Sequence, residues 1–172
     1  QVFESKMVVA ERSNDDLDII GLNDGYLGQL GSIVKSAVDA LPRRFSSLPD
    51  NMPRSAGWAT RLTAKDLNSN SADIAHLHWI NGAFISIEEI GKITKPLVWS
   101  LHDMWAFCGA EHLAPDTPDA RWRNGYTPTS DISGFDFDIW VWRRKKISWR
   151  KPIHIVTPSR WLADCVSQSS LM

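Results

Sequence analysis

The stretch LVWSLHDMWAFCGAEH, residues 97–112, decides how the rest of the chain is interpreted. Its apolar start, with the β-formers Val98 and Trp99, predicts a strand. His102 and Asp103 follow where that strand ends. In open parallel α/β sheets, ligands bind in the crevice beyond the carboxyl ends of the strands. An imidazole beside a carboxylate there suits proton or charge chemistry, although a structural pair capping the strand is the simpler explanation of the dipeptide alone.

Strand and helix patterns alternate along the whole chain. Strands are predicted at residues 5–11, 72–78, 97–101 and 153–157, and helices at residues 29–41, 58–67, 86–93, 138–149 and onward from Ser159. Residues 114–137 are rich in Asp, Pro, Gly and Thr, which predicts a long irregular loop. The alternation indicates one α/β layered domain over residues 1–172, with a mostly parallel sheet.

Two of the predicted helices carry clear burial patterns. In residues 29–41, apolar side chains recur at helical spacing, and Pro42 is expected to end the helix. Ser86 with Glu89 has the spacing of a capping box at the start of the later helix. The inner face of that helix is expected to consist of Ile87, Ile90 and Ile93. The strand at residues 5–11 is expected to be buried.

Composition excludes several classes of protein. The chain has 172 residues, 43% of them hydrophobic, and a net charge of −1, which indicates a globular protein and argues against a disordered tail or a nucleic-acid binder. Its two cysteines, Cys108 and Cys165, are too few for a disulfide framework or a Cys-rich zinc site. A cytoplasmic location is therefore expected. No apolar run approaches the roughly 20 residues that span a bilayer.

The histidines raise the possibility of a metal. His76 and His78 lie two apart on one predicted strand and so share a face. A metal site would draw its remaining ligands from His102, Asp103, Glu111 and His112. The dense spacings typical of hydrolase metal motifs are absent, so no metal is expected.

The loop after the second strand has residues suited to a sugar. Trp79 offers an aromatic face, Asn81 offers both a donor and an acceptor to hydroxyls, and Gly82 permits close approach of a ligand to the backbone. A plain turn between strand and helix explains the same residues equally well.

Two cationic features remain. The run RRKK at residues 143–146 suits contact with phosphates or with an anionic membrane surface, but a solvated helix face is the favoured interpretation. Ser159 and Arg160 begin a helix whose amide groups could bind an anion, with ordinary capping as the alternative.

Three separated motifs together resemble a known family. DIAHLHWING at residues 73–82, WSLHDMW at 99–105 and IVTPSRWLA at 155–163 are similar to the N-terminal domain of family 4 glycosyltransferases, especially the polysaccharide-building members with an HDMW motif. The resemblance runs in order from about Ser5 to the end of the chain. It implies a Rossmann-like three-layer domain, the N-terminal half of a two-domain GT-B enzyme.

The resemblance also implies an activity and a set of roles. Such an enzyme transfers a sugar, with retention of configuration, from a nucleotide-diphosphate sugar to a saccharide or lipid-linked acceptor, with no other cofactor. His102 would lie at the donor sugar and the reacting centre, and Asp103 would orient it or the acceptor. Residues 79–82 would line the acceptor side, and residues 109–112 would close over the cleft. The residues expected to bind substrate are Trp79, Asn81, Gly82, Trp105, Gly109, Glu111, His112, Ser159 and Arg160.

The resemblance implies missing parts as well. The family's first strand and glycine-rich loop would precede Gln1, and a C-terminal domain that binds the nucleotide would follow. The chain alone is therefore expected to be inactive, with peripheral contact to the inner face of a membrane as an open alternative. Two competing hypotheses are a metal-dependent hydrolase built on the His/Asp cluster, and a non-catalytic binding domain that uses exposed tryptophans and the basic helix.

Overall fold

The computed structural model describes residues 4–13, 15–22, 26–48, 52–130 and 132–172. The strands are β1 (Met7–Val9), β2 (Ile19–Gly21), β3 (Ala75–Leu77), β4 (Leu97–Ser100) and β5 (His154–Val156). The helices are α1 (Tyr26–Ala40), α2 (Ala64–Ser69), α3 (Ile87–Lys92), α4 (Arg121–Asn124), α5 (Phe137–Ser148) and α6 (Arg160–Ser167). A 3₁₀ turn, Leu41–Phe45, follows α1 directly.

The described strands form two small parallel sheets. β1 pairs with β2, and β3, β4 and β5 form a three-stranded sheet in that order. The expected α/β class with parallel strands is therefore confirmed. The expectation of one continuous sheet is not met among the described residues, because β1 pairs with β2, a three-residue strand that the sequence pattern did not predict.

The three-stranded sheet buries one face and exposes the other. Leu77 and Trp99 point into the core, whereas His76 and His154 on the opposite face are exposed. Helices α3 and α5 pack closely against each other. A Cβ atom on Gly91 of α3 would overlap the carbonyl oxygen of Ser148 and lie 2.9 Å from its carbonyl carbon, so only glycine permits this approach.

Helix α3 follows its sequence pattern. The Ser86 hydroxyl accepts a hydrogen bond from the Glu89 amide, and the predicted inner-face residues are buried: Ile87, Ile90 and Ile93. The Glu89 carboxylate instead accepts a hydrogen bond from the Ala64 amide of α2. Reciprocal capping is instead found one helix earlier, between Thr63 and Asp66.

Helix α1 was predicted correctly, but the burial of its apolar face was not. Its apolar side chains remain exposed: Leu30, Ile33, Val34 and Val38. The helix is anchored by Asp39, whose buried carboxylate accepts hydrogen bonds from the Trp58 and Ala59 amides. The α-helix ends at Ala40, just before Pro42, as predicted, and the chain continues as a 3₁₀ turn that tolerates a proline in its first turn. The expected burial of the first strand is also wrong, since Met7 is 58% exposed.

The basic run on α5 is not one solvated face. Arg143 and Lys146 are exposed, but Lys145 is fully buried. Arg144 donates to both carboxylate oxygens of Glu88 and to the carbonyls of Ala56 and Gly57. Two of the four basic residues, Arg144 and Lys145, therefore make contacts within the fold.

Residues 114–137 are largely irregular, as predicted, apart from the single-turn helix α4; Asp131 lies outside the described residues. Both thiols, Cys108 and Cys165, are buried. None of the helices in the described ranges has the length and apolar character needed to cross a bilayer.

Candidate functional site

The carboxyl ends of β3 and β4 bring three histidines together. Because these strands are parallel neighbours, His78 and His102 lie side by side, with Nδ1 of the former 3.2 Å from Nε2 of the latter. The His76 ring centroid lies 4.5 Å from that of His78, and its Nε2 is 2.9 Å from the Ser100 hydroxyl. All three imidazoles are on the exposed face of the sheet.

The electrostatics of this cluster favour neutral imidazole at its centre. Partial burial lowers the pKa of His78, and the neighbouring His76 and His102 lower it further. With one nitrogen donating and the other accepting, the contact between His78 and His102 leaves each ring a second nitrogen for a ligand or water.

Asp103 is hydrogen-bonded to other groups than this cluster. Its Oδ1 accepts a hydrogen bond from the Trp105 amide at 2.9 Å, and its Oδ2 accepts one from His112 Nδ1 at 2.6 Å. Burial alone would raise the pKa of Asp103, but these hydrogen bonds outweigh it and hold the pKa below its ordinary value. In this structure the partner of Asp103 is therefore His112, and the partner of His102 is His78.

The loop of residues 79–83 is held in an uncommon backbone conformation. Gly82 and Ala83 have φ angles of 68° and 61°, and an alanine in that region is strained. Arg61 holds the loop by donating to the carbonyls of both residues, and it also donates to the Ser32 hydroxyl of α1. Sequence reasoning missed Arg61, because no local pattern marks a side chain that binds a loop 21 residues away.

This loop and the end of β4 enclose a small recess of about 10 Å³, which has room for about one water-sized group. Its walls are formed by His78, Trp79, Ile80, Asn81, Trp99, Leu101, His102, Asp103, Trp105 and Ala106. Trp79 is 60% exposed, and Asn81 is 6% exposed. The Oδ1 atom of Asn81 is buried with no hydrogen-bond partner among the described residues. A buried orphan acceptor in the wall of a recess indicates a place for a donor from water or a ligand.

The other residues of the long motif lie deeper. Trp105 lines the floor of the recess and donates its indole N–H to the Ser55 carbonyl. Gly109 and Glu111 do not line the recess, because they pack in the interior against Asp138. Of the segment expected to close over the cleft, only His112 comes near it, with its ring centroid 6.4 Å from that of Trp79.

A buried ionic network supports this segment from below. Lys145 donates to the carbonyls of Trp105, Cys108 and Gly109, and burial lowers its pKa to about 7. Glu111 accepts a hydrogen bond from the Tyr126 hydroxyl, and burial together with the nearby Asp138 charge raises its pKa to about 7.

Arg54 completes that network. Its Nε donates to the Asp138 carboxylate at 3.1 Å, and both side chains are almost fully buried. The network therefore fixes the turn that follows His102 and Asp103.

The start of α6 shows ordinary capping. The Ser159 hydroxyl accepts from the Leu162 amide, and Arg160 is exposed beside it. Neither residue lines the recess, so the structure does not bring them to the predicted site.

Two other candidates carry little chemistry. No group of three or more His, Cys, Asp or Glu side chains within the described ranges is placed to hold a metal ion. A wider depression of about 600 Å³ lies between α2 and α3, but its Glu89 carboxylate is already bonded to Lys92 and to the Ala64 amide. The recess between the strand ends is therefore the candidate site.

The chain was also compared with known proteins. No family model, no curated protein and no solved structure matches it.

Proposed function

We propose that this chain is the acceptor-side domain of a retaining glycosyltransferase of the GT-B type, which transfers a sugar from a nucleotide-sugar donor to a saccharide or lipid-linked acceptor in polysaccharide biosynthesis. The resemblance of three motifs to family 4 glycosyltransferases suggests it. One observation carries it further: an exposed tryptophan stands at a recess whose polar wall offers acceptors to hydroxyl groups.

Trp79 supplies the apolar part of such a site. Sugar rings carry patches of C–H groups that pack on aromatic faces, and an indole that is 60% exposed beside a recess offers such a face. The recess has a volume of only about 10 Å³, far below the roughly 300 Å³ at which whole-ligand pockets begin, so it can take a single hydroxyl group while the sugar ring itself lies over Trp79.

The polar wall selects for hydroxyl donors. Asn81 Oδ1 is an acceptor without a partner among the described residues, and Asp103 lines the same recess with a carboxylate whose pKa is held low. A carboxylate has about four lone-pair positions, and its contacts with Trp105 and His112 use two. Two acceptors favour hydroxyl groups and disfavour a phosphate, which supports a neutral sugar as the ligand in preference to the donor's diphosphate.

His102 also lines the recess and has the chemistry for the transfer step. The bond between the donor sugar and its diphosphate breaks, a bond to the acceptor oxygen forms, and the acceptor's proton leaves with the diphosphate. An imidazole N–H of His102 can donate a hydrogen bond to a sugar hydroxyl or to the departing phosphate oxygen. The contact with His78 orients the ring for that purpose.

A binding experiment tests the acceptor site on the chain itself. Saturation-transfer NMR with methyl glucoside, methyl galactoside and methyl mannoside at millimolar concentration is expected to give signals for at least one glycoside. Asn81→Ala and Trp79→Ala should abolish or strongly reduce those signals. Trp58→Ala is the control, because Trp58 is comparably exposed, at 45%, but does not line the recess. Absence of signal for every glycoside with the unaltered chain would refute the site.

A turnover experiment tests the reaction. In the product of the complete gene, His102→Ala is expected to lower turnover about 100-fold with the fold intact, since loss of one preorganised donor at the reacting centre costs about 3 kcal/mol. His154→Ala is the matched control, because it removes an exposed imidazole from the neighbouring strand. Equal turnover of the His102→Ala variant and the unaltered enzyme would contradict the role of His102.

A further inference from the structure

Ser55, His112 and Asp103 form a continuous hydrogen-bonded series that ends at the recess. Ser55 Oγ lies 2.7 Å from His112 Nε2, and His112 Nδ1 lies 2.6 Å from Asp103 Oδ2. Sequence reasoning did not single out Ser55, which is 57 residues from His112. The order of atoms is that of a Ser-His-Asp triad.

Backbone pairing fixes this arrangement. The Ser55 amide donates to the Ala110 carbonyl, and the His112 amide donates to the Pro53 carbonyl. The Met104 amide donates to the His112 carbonyl, which ties the same segment to the turn after Asp103. The spacing between Ser55, His112 and Asp103 is therefore set by the main chain as well as by side-chain contacts.

The contacts also select one form of the imidazole. A carboxylate only accepts, so His112 must carry a proton on Nδ1 to bond Asp103. In the neutral ring Nε2 is then the acceptor, and the Ser55 hydroxyl donates to it. Both ring nitrogens are committed, so His112 has none to spare for a ligand.

The position of the recess decides between two uses of such a triad. Asp103 lines the recess, whereas Ser55 and His112 do not. The Ser55 amide, which would be the nearest oxyanion donor, is already bonded to the Ala110 carbonyl. In this hydrogen-bonded series, the group that can contact a ligand is therefore the Asp103 carboxylate and not the Ser55 hydroxyl.

We propose that Ser55 and His112 are positioning residues that hold the Asp103 carboxylate, through one tautomer of His112, as an acceptor for a sugar hydroxyl in the recess. This inference rests on the proposed function for the identity of the ligand. The tautomer of His112 is a property of the protein without ligand, so that part of the inference is independent of the proposed function.

The first test reads the tautomer without any ligand. Nitrogen-15 NMR of histidine-labelled protein should show His112 protonated on Nδ1 and unprotonated on Nε2. In Asp103→Asn, the Trp105 amide keeps the new amide's oxygen on its side, so the NH₂ group faces His112 Nδ1 and forces the proton onto Nε2. A proton on Nε2 in the unaltered neutral protein would overturn the proposal.

The second test reads ligand affinity with a rescue variant. Ser55→Ala should weaken binding of the methyl glycoside on the order of fivefold, the loss of about one hydrogen bond, and Ser55→Thr, which keeps the hydroxyl, should restore it. Equal affinity of the Ser55→Ala variant and the unaltered chain would overturn the positioning role. Failure of the unaltered chain to bind any glycoside would refute the proposed function instead, and the tautomer experiment would still decide the arrangement.

A third measurement addresses the alternative use of the triad. A fluorophosphonate probe labels serines that act as nucleophiles. No labelling at Ser55 is expected, because the recess does not reach it. Stoichiometric labelling that disappears in Ser55→Ala would replace the positioning role by covalent chemistry.

Discussion

Lys145 and Trp105 contact each other twice: the ammonium lies 3.7 Å from the centroid of the indole ring and donates a hydrogen bond to the Trp105 backbone carbonyl. Through this pair, helix α5 holds the turn that follows His102 and Asp103. The lysine side chain is fully buried, and its direct contacts are with carbonyl oxygens and aromatic rings.

Replacing this lysine should destabilise the protein. Lys145→Met keeps most of the volume but leaves three buried carbonyls without their donor, so we expect a loss of about 2–4 kcal/mol in the free energy of unfolding. Urea denaturation measures the loss. Arg143→Met is the control, since it removes an exposed charge from the same helix and should change stability by less than about 0.5 kcal/mol. Equal stability of the two variants would contradict the role of Lys145.

Arg144 should also prove structural. It bridges α5 to Glu88 and to the carbonyls of Ala56 and Gly57, so Arg144→Ala is expected to lower the free energy of unfolding by about 2–3 kcal/mol. Thermal denaturation compared with Arg143→Ala measures this. If Arg144→Ala is destabilised, a loss of partner binding in that variant would not support the hypothesis of a binding domain that uses the basic helix. Unchanged stability of Arg144→Ala would contradict the structural role and favour that hypothesis.

Gly91 should tolerate no side chain. Because an added Cβ would overlap the backbone of Ser148, Gly91→Ala should push α3 from α5 and cost more than about 2 kcal/mol. Gly31→Ala is the matched control: its Cβ would meet nothing within 4 Å, and alanine favours a helix by about 1 kcal/mol. The two variants are thus expected to shift the urea midpoint in opposite directions, and a Gly91→Ala protein as stable as the unaltered one would refute the close approach.

Glu111 should make stability depend on pH. Burial raises its folded-state pKa to about 7 from an ordinary value of 4.5, so the folded chain binds more protons between those values. The contribution of Glu111 to stability is fully present below about pH 4.5 and is lost as the pH rises through 7. Lys145, whose pKa is lowered from 10.5 to about 7, acts above that window, where it makes stability rise with pH.

The variant Glu111→Gln isolates this effect. It keeps an acceptor for the Tyr126 hydroxyl but cannot titrate. Urea denaturation measures the free energy of unfolding at each pH. Between about pH 5 and about pH 7, this free energy should fall by at least about 1.4 kcal/mol more in the unaltered protein than in the variant, the equivalent of one pKa unit. Parallel stability curves for the two proteins would show that Glu111 titrates normally.

Sequence patterns predicted most elements but not what covers them. The periodicity of α1 identified a helix and its apolar stripe correctly, yet Ile33 is 67% exposed, because periodicity shows which side is apolar and not whether another element packs on it. The same limit applies to Lys145, since nothing in a run of four basic residues distinguishes the one that points inward. Strand β2 was missed because three residues are too few to show alternation.

Part of the geometry at the strand ends follows from the sequence. Parallel strands place their carboxyl ends together, so the meeting of His78 and His102 follows from the strand assignments. The pairing of Asp103 with His112 and then Ser55 does not, because it depends on how the segment after β4 folds back on residues 53–55. Contacts between residues that are far apart in the sequence produce no local sequence pattern.

The burial of both thiols has a practical consequence for spectroscopy. Cys108 and Cys165 are at most 1% exposed, and burial raises the pKa of each, so little reactive thiolate reaches solvent. The two native thiols are therefore expected to react little with maleimides. A single cysteine introduced on the exposed side of the loop at residues 79–83 could carry a fluorophore or spin label and report directly on how that loop responds to a sugar.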